Sequence, residues 1–234
     1  TRYWRDWSSD VCSSDLLAGK GFLTNTLAGY GLYLDGDNAN KVTFRVQNLT
    51  SANTATSNSA LNDNNWHHAV GVVDTSGGKI YLYIDGALQG SGTTLTVSNY
   101  YDQTSFAIAA RYNPGSPVSY LNGSMSEVFL WGRALTSAEV GDLYNSGLGL
   151  FVVDSTTTFP STSVLVSNQL ILMWHLSDGF QAYAMDSSVN VFYGTTVNSP
   201  TWSLGMRSTN VRTDVSTGWK SGDTIAIEIG RAHF

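Results

Sequence analysis

Residues 65–86 read NWHHAVGVVDTSGGKIYLYIDG. Residues 66–73 and 79–84 are two short runs rich in β-branched, aromatic and aliphatic residues, the types that fit a pleated, packed surface. The stretch DTSGG at 74–78 separates them, and Asp85-Gly86 turns the chain again. Two such runs joined through a Gly-Gly turn predict an antiparallel hairpin.

The same grammar extends in both directions. Residues 29–35, GYGLYLD, alternate and run into Gly36, Asp37 and Asn38. Residues 41–47, KVTFRVQ, place Val42, Phe44 and Val46 on one face and Thr43, Arg45 and Gln47 on the other, so 29–47 reads as a hairpin. Residues 48–65 are rich in Ala, Ser, Thr and Asn and read as a long loop or irregular strand. Downstream, 106–110 and 125–131 are further strands. Residues 135–144, LTSAEVGDLY, form the one helical candidate, near 136–145, with Thr136 or Ser137 as cap. Leu135, Val140, Leu143 and Tyr144 make its apolar side, and Gly147 and Gly149 stop it. Short strands joined by Gly, Asn and Asp turns predict an all-β, antiparallel jelly-roll β-sandwich, and their alternation predicts sheets with one wet face.

Composition agrees. Of 234 residues, 42% are hydrophobic and 12% aromatic, which permits a packed core, while only 13% are charged. Net charge is −6, with no Lys/Arg cluster, so a nucleic-acid footprint is excluded. No apolar run reaches the length of a membrane span, so no membrane insertion is expected.

Ordered motifs give a resemblance. Residues 65–70 (NWHHAV), 79–86 (KIYLYIDG), 121–135 (LNGSMSEVFLWGRAL), 137–140 (SAEV) and Leu143-Tyr144 resemble the back half of a laminin-G-like domain. That family has the concanavalin A-like fold. The resemblance covers residues 17–150, without the family's opening strands. Residues 170–176 (LILMWHL), 185–190 (MDSSVN), 195–202 and 222–227 (GDTIAI) resemble the start of the same family. Residues 170–227 are therefore expected to open a second repeat, after a linker at 151–169. The missing opening strands leave edges in the first block, with unpaired N–H and C=O groups. The linker is long enough to cross a small domain, so 170–176 is expected beside 125–131, and 224–227 in the same sandwich.

The two ends read differently. Residues 6–16, DWSSDVCSSDL, and 228–233, EIGRAH, resemble translated sequencing-adapter DNA. Residues 12–16 can be written TGC TCT TCC GAT CT and 228–232 GAG ATC GGA AGA GCA, which share a reverse-complementary stretch. Segments 1–16 and 228–234 are accordingly expected to lie outside the fold. The single cysteine, Cys12, lies in the first of them, so it carries no disulfide argument.

Chemistry is sparse. The concanavalin A-like fold also hosts glucan hydrolases, and a retaining hydrolase needs two carboxyl groups about 5–5.5 Å apart. Between the adapter-like ends the only glutamates are Glu127 and Glu139. Glu127 has no acidic residue two or four positions away, and Glu139 reads as a solvated helix residue. His67 and His68 are adjacent on a strand and point to opposite faces, so they cannot chelate one ion. No catalytic residues are expected. The resemblance implies bound Ca²⁺, held by carboxylates and carbonyls. Its candidate ligands are Asp186 with Asn190, and Asp35 with Asp37, although Asp and Asn favour turns without any metal. Ser126 stands where the family has Asp. Tyr100, Tyr101 and Tyr112, in loops, are candidates for stacking on sugars, whereas Trp66 and Trp131, on strands, are expected in the core.

These readings converge on a non-catalytic adhesion or recognition module. It would bind a glycan or an extracellular protein, as part of a larger bacterial or viral protein that is secreted or displayed on a cell surface or virion. The alternatives are a structural spacer repeat in an adhesin or viral fibre and, third, a glycoside hydrolase of the same fold.

Overall fold

The computed structural model describes residues 15–21, 28–100, 105–110, 121, 123–147, 169–176, 183–184, 186, 188, 190, 192, 194–196 and 225–233. In chain order the strands are β1 (Asp15–Lys20), β2 (Gly29–Asp35), β3 (Lys41–Gln47), β4 (Ala52–Ala60), β5 (Trp66–Asp74), β6 (Lys79–Ile84) and β7 (Ala87–Leu88). There follow β8 (Thr93–Thr94), β9 (Phe106–Ile108), β10 (Ser124–Trp131), β11 (Leu170–Trp174), β12 (Tyr183–Ala184), β13 (Gly194–Thr195) and β14 (Ile225–His233). The helix α1 (Ser137–Tyr144) follows β10.

Two antiparallel sheets form the body. One has the order β4-β3-β2-β1-β9, the other β11-β10-β14-β5-β6-β7, with β8 also on β6. Strands β12 and β13 pair with each other. Among the described residues the chain forms the expected β-sandwich with one α-helix. The apolar face of β3 points inward: Val42, Phe44 and Val46 meet Ala69 and Val73 of β5, Ile80 and Leu82 of β6, and Val128 and Leu130 of β10. The second sheet is apolar on its other face too. There Val70, Val72, Phe129, Trp131 and Met173 pack against Leu135, Val140 and Leu143. Strand β5 is consequently buried from His67 to Val73.

Thr136 is the helix cap. Its hydroxyl accepts from Glu139 N, and the Glu139 carboxylate accepts from Thr136 N at 2.8 Å, a reciprocal capping box. Glu139 also takes both terminal nitrogens of Arg133, at 2.7 and 3.0 Å. It is therefore a fixed partner of the preceding turn, where a solvated residue was expected.

Residues 52–60 form a nine-residue strand whose register against β3 shifts between Lys41 and Thr43, the irregular strand among the two readings, and 48–51 make its turn, with the Asn48 carboxamide oxygen accepting from Thr50 N and Ser51 N. The second face of β3 is not wet throughout, since Thr43 and Gln47 are buried. Thr43 Oγ1 bonds Thr56 Oγ1, and Leu16, Tyr33 and Ala107 cluster on the outer side of the first sheet.

Leu170–Trp174 lies antiparallel to β10, pairing Trp174 with Val128 and Leu172 with Leu130, as the open-edge argument expects. Ile225–His233 runs between β10 and β5, pairing Ile229 with Val128 and Ala226 with Val72. The fold therefore takes in the backbone of 228–233, which was expected to lie outside it. The same holds at the other end, where β1 begins at Asp15 and Leu16 is 1% exposed. Sheet formation rewards any chain that satisfies open edges, so this pairing does not bear on how those runs arose. Cys12 and the linker up to residue 168 lie outside the described residues.

Candidate functional site

The end of the second sheet where β5 begins carries a hydrogen-bonded cluster of polar side chains. Asp63 accepts from Asn65 N and Asn65 Nδ2, both at 2.9 Å, and Asn64 takes a left-handed conformation (φ 63°) that suits asparagine. His67 stands between two carboxylates, with Nε2 3.0 Å from Asp63 and Nδ1 2.8 Å from Asp85. The second Asp85 oxygen accepts from His68 N at 2.9 Å. A carboxylate only accepts, so a ring making both contacts is the doubly protonated imidazolium. The hydrogen bond to Asp85, with that to Asp63, raises the His67 pKa against the effect of burial. Asp63 is held well below the usual carboxylate range by Asn65 and His67. Burial pushes Asp85 up, but its bonds to His67 and His68 prevail and leave it lowered.

The strand pleat sends His68 to the opposite face, where its ring lies 5.9 Å from that of Tyr144. Tyr144 also packs on Gly86, which has φ +75° and where an added β-carbon would stand 2.9 Å from the Tyr144 ring, so both favour glycine. Trp66 comes next along the same face. It is 40% exposed, so its expected place in the core is corrected. It is the first residue of β5, which puts it at the margin of the sheet where packing runs out. Trp131 also ends its strand but is buried as expected, because it packs with Phe129 and with Leu135, Val140 and Leu143 at the helix.

A second ionisable pair joins β10 to the chain after β11. His175 Nδ1 lies 2.5 Å from Glu127 Oε2. Glu127 has φ +61°, a strained conformation for a non-glycine strand residue. Sequence spacing missed this contact because the partners are 48 residues apart. The partner of Glu127 is a histidine; a hydrolase pair would place a second carboxylate there.

Asp186 is 1% exposed. Its Oδ1 accepts from Met173 N and Ser188 N, each at 2.8 Å, and its Oδ2 accepts from Ser188 Oγ at 2.7 Å and Phe192 N at 2.8 Å. Asn190 Nδ2 donates to the carbonyls of Leu170 and Ile171. Burial pushes the Asp186 carboxyl up, against the pull of those donors. Four hydrogens aimed at one carboxylate present positive charge where a cation would have to sit, so Asp186 and Asn190 do not fit a calcium site as they stand. Asp35 ends β2, and Asp37 lies exposed on the following 3₁₀ turn, in the other sheet. The two candidate pairs are thus not brought together. Among the described residues no group of three or more His, Cys, Asp or Glu is placed to hold a metal.

Tyr100 is corrected: at 5% exposure it packs in the inter-sheet core with Val97 and cannot present a face to a sugar. Tyr101 and Tyr112 lie outside the described residues.

A sandwich of two antiparallel sheets with a helix on the outer face of one defines the class. The family model for the concanavalin A-like lectin/glucanases superfamily, of laminin-G type, matches residues 4–141. That is more than half of the chain, which therefore belongs to this superfamily. No curated protein and no solved structure matches the chain.

Proposed function

We propose that this chain is a non-catalytic recognition module, binding a glycan or an extracellular protein through the margin of its sandwich, within a larger secreted or surface-displayed protein. The observation that carries this reading is the Glu127–His175 contact at 2.5 Å. The one strand-borne glutamate between the adapter-like ends is spent on holding β10 to the chain after β11. Glu139 and Asp186 are committed to a helix cap and to backbone N–H groups in the same way. Superfamily membership admits hydrolases as well as lectins, and the structural roles of these three carboxylates support the non-catalytic reading. Among the described residues no helix is long and apolar enough to cross a membrane.

Screening the purified chain on glycan and extracellular-protein arrays tests the reading, alongside a hydrolysis assay on the same glycans. Binding without product formation supports it. Release of new reducing ends, lost in Glu127→Gln, overturns it. A spacer repeat is favoured by a different observation: the segment resembling a repeat's start pairs with β10. Absence of binding to any array member would support that alternative.

A further inference from the structure

We propose that Trp66 is the stacking platform of a site for neutral pyranosides, with the carboxamides of Asn62, Asn64 and Asn65 as its hydrogen-bonding partners. This rests on the recognition reading and names its site and ligand class.

Single exposed apolar side chains are ordinary on protein surfaces. Trp66 differs in what surrounds it. The residues before it are Asn62, Asp63, Asn64 and Asn65, all exposed. The positions of Asp63 and Asn65 among them are set without a ligand. Asp63 ties the backbone and side chain of Asn65, His67 ties Asp63 to Asp85, and Asp85 ties His68 N. A segment already held in one geometry loses little entropy on binding, which is how a small surface reaches useful affinity. His68 and Val70 anchor the strand behind Trp66 against Tyr144 and the helix-covered cluster.

The chemistry selects the ligand. An indole face carries negative quadrupolar potential and suits the C–H-bearing face of a pyranose ring. A carboxamide both donates and accepts, as a sugar hydroxyl does. Residues 61–66 contain no Lys or Arg, and the Asp63 side chain is 47% exposed. The one neighbouring imidazolium, His67, is shared between Asp63 and Asp85, so this group of three carries net negative charge, and neutral hexosides are favoured over uronates, sulfated or sialylated glycans.

The test titrates the full chain with neutral and acidic oligosaccharides, read by tryptophan fluorescence and calorimetry, in wild type, Trp66→Ala, Trp66→Phe and Asn62→Ala. The expected result is binding of a neutral glycan, weakened tenfold or more in Trp66→Ala and partly restored in Trp66→Phe, with unchanged melting temperatures. If Trp66→Ala does not fold, Trp66→Phe and Asn62→Ala carry the test, each expected to weaken binding severalfold. Unaltered glycan affinity in the variants overturns the site and leaves the recognition reading standing. Binding of acidic glycans alone overturns the ligand class. Failure of the wild type to bind any glycan overturns the proposal, whereas failure on both glycan and protein arrays also removes the reading beneath it.

Discussion

The ring of Phe44 in β3 occupies the space in front of Gly71 in β5, where a β-carbon would otherwise stand. This contact spans the sandwich and explains why a glycine interrupts the AVGVV run.

Gly71→Ala is therefore expected to destabilise the fold by about 1–3 kcal/mol through overpacking. Urea denaturation measures it. An unchanged midpoint would mean that Phe44 does not sit across from Gly71.

His67 makes stability depend on pH. Its pKa is raised above the ordinary 6.5, chiefly by the hydrogen bond to Asp85. A raised folded value contributes stability that is full below pH 6.5 and is lost as pH rises through the folded value. The stability gap between wild type and His67→Gln should be wide at pH 6 and narrow at pH 9. A gap independent of pH would show that the ring is not protonated between Asp63 and Asp85.

Asp186 is expected to act as a backbone clamp. Asp186→Asn turns an N–H₂ group toward N–H donors and should cost about 1–3 kcal/mol. The loss should be equal in calcium and in EDTA. A loss seen only in calcium, or a melting temperature raised by calcium in wild type alone, would make Asp186 a metal ligand.

Arg133 grips Glu139 with two nitrogens and donates to the Ala134 carbonyl. Lysine cannot reproduce that fork, so Arg133→Lys should cost about 1–2 kcal/mol. Thr136→Ala should cost about 1 kcal/mol through the lost cap. The two changes share Glu139, so their double mutant should depart from additivity. Additive losses would argue against a shared network.

Much of the fold was legible because it is written in local periodicity. Val42, Phe44 and Val46 alternate into the core, and Thr136, one of the two cap candidates, opens the helix. Strand β4 was harder to read, since ANTATSNSA has little apolar alternation and is held by backbone pairing to β3 and by Ser57 accepting from Val42 N. The site was less legible still. Nothing local links Glu127 to His175, or tells that Tyr100 turns inward while Trp66 sits where its strand leaves the packed sheet. The family resemblance implied a calcium site at Asp186, but only the three-dimensional arrangement reveals that its oxygens already accept four hydrogen bonds.

The central claim is binding without turnover. The most direct measurement is a glycan microarray read in EDTA, with mass spectrometry of each glycan recovered from the chain. Retention of a neutral glycan recovered at its original mass is the predicted result. A recovered glycan shortened by hydrolysis, with cleavage abolished by Glu127→Gln, would contradict it.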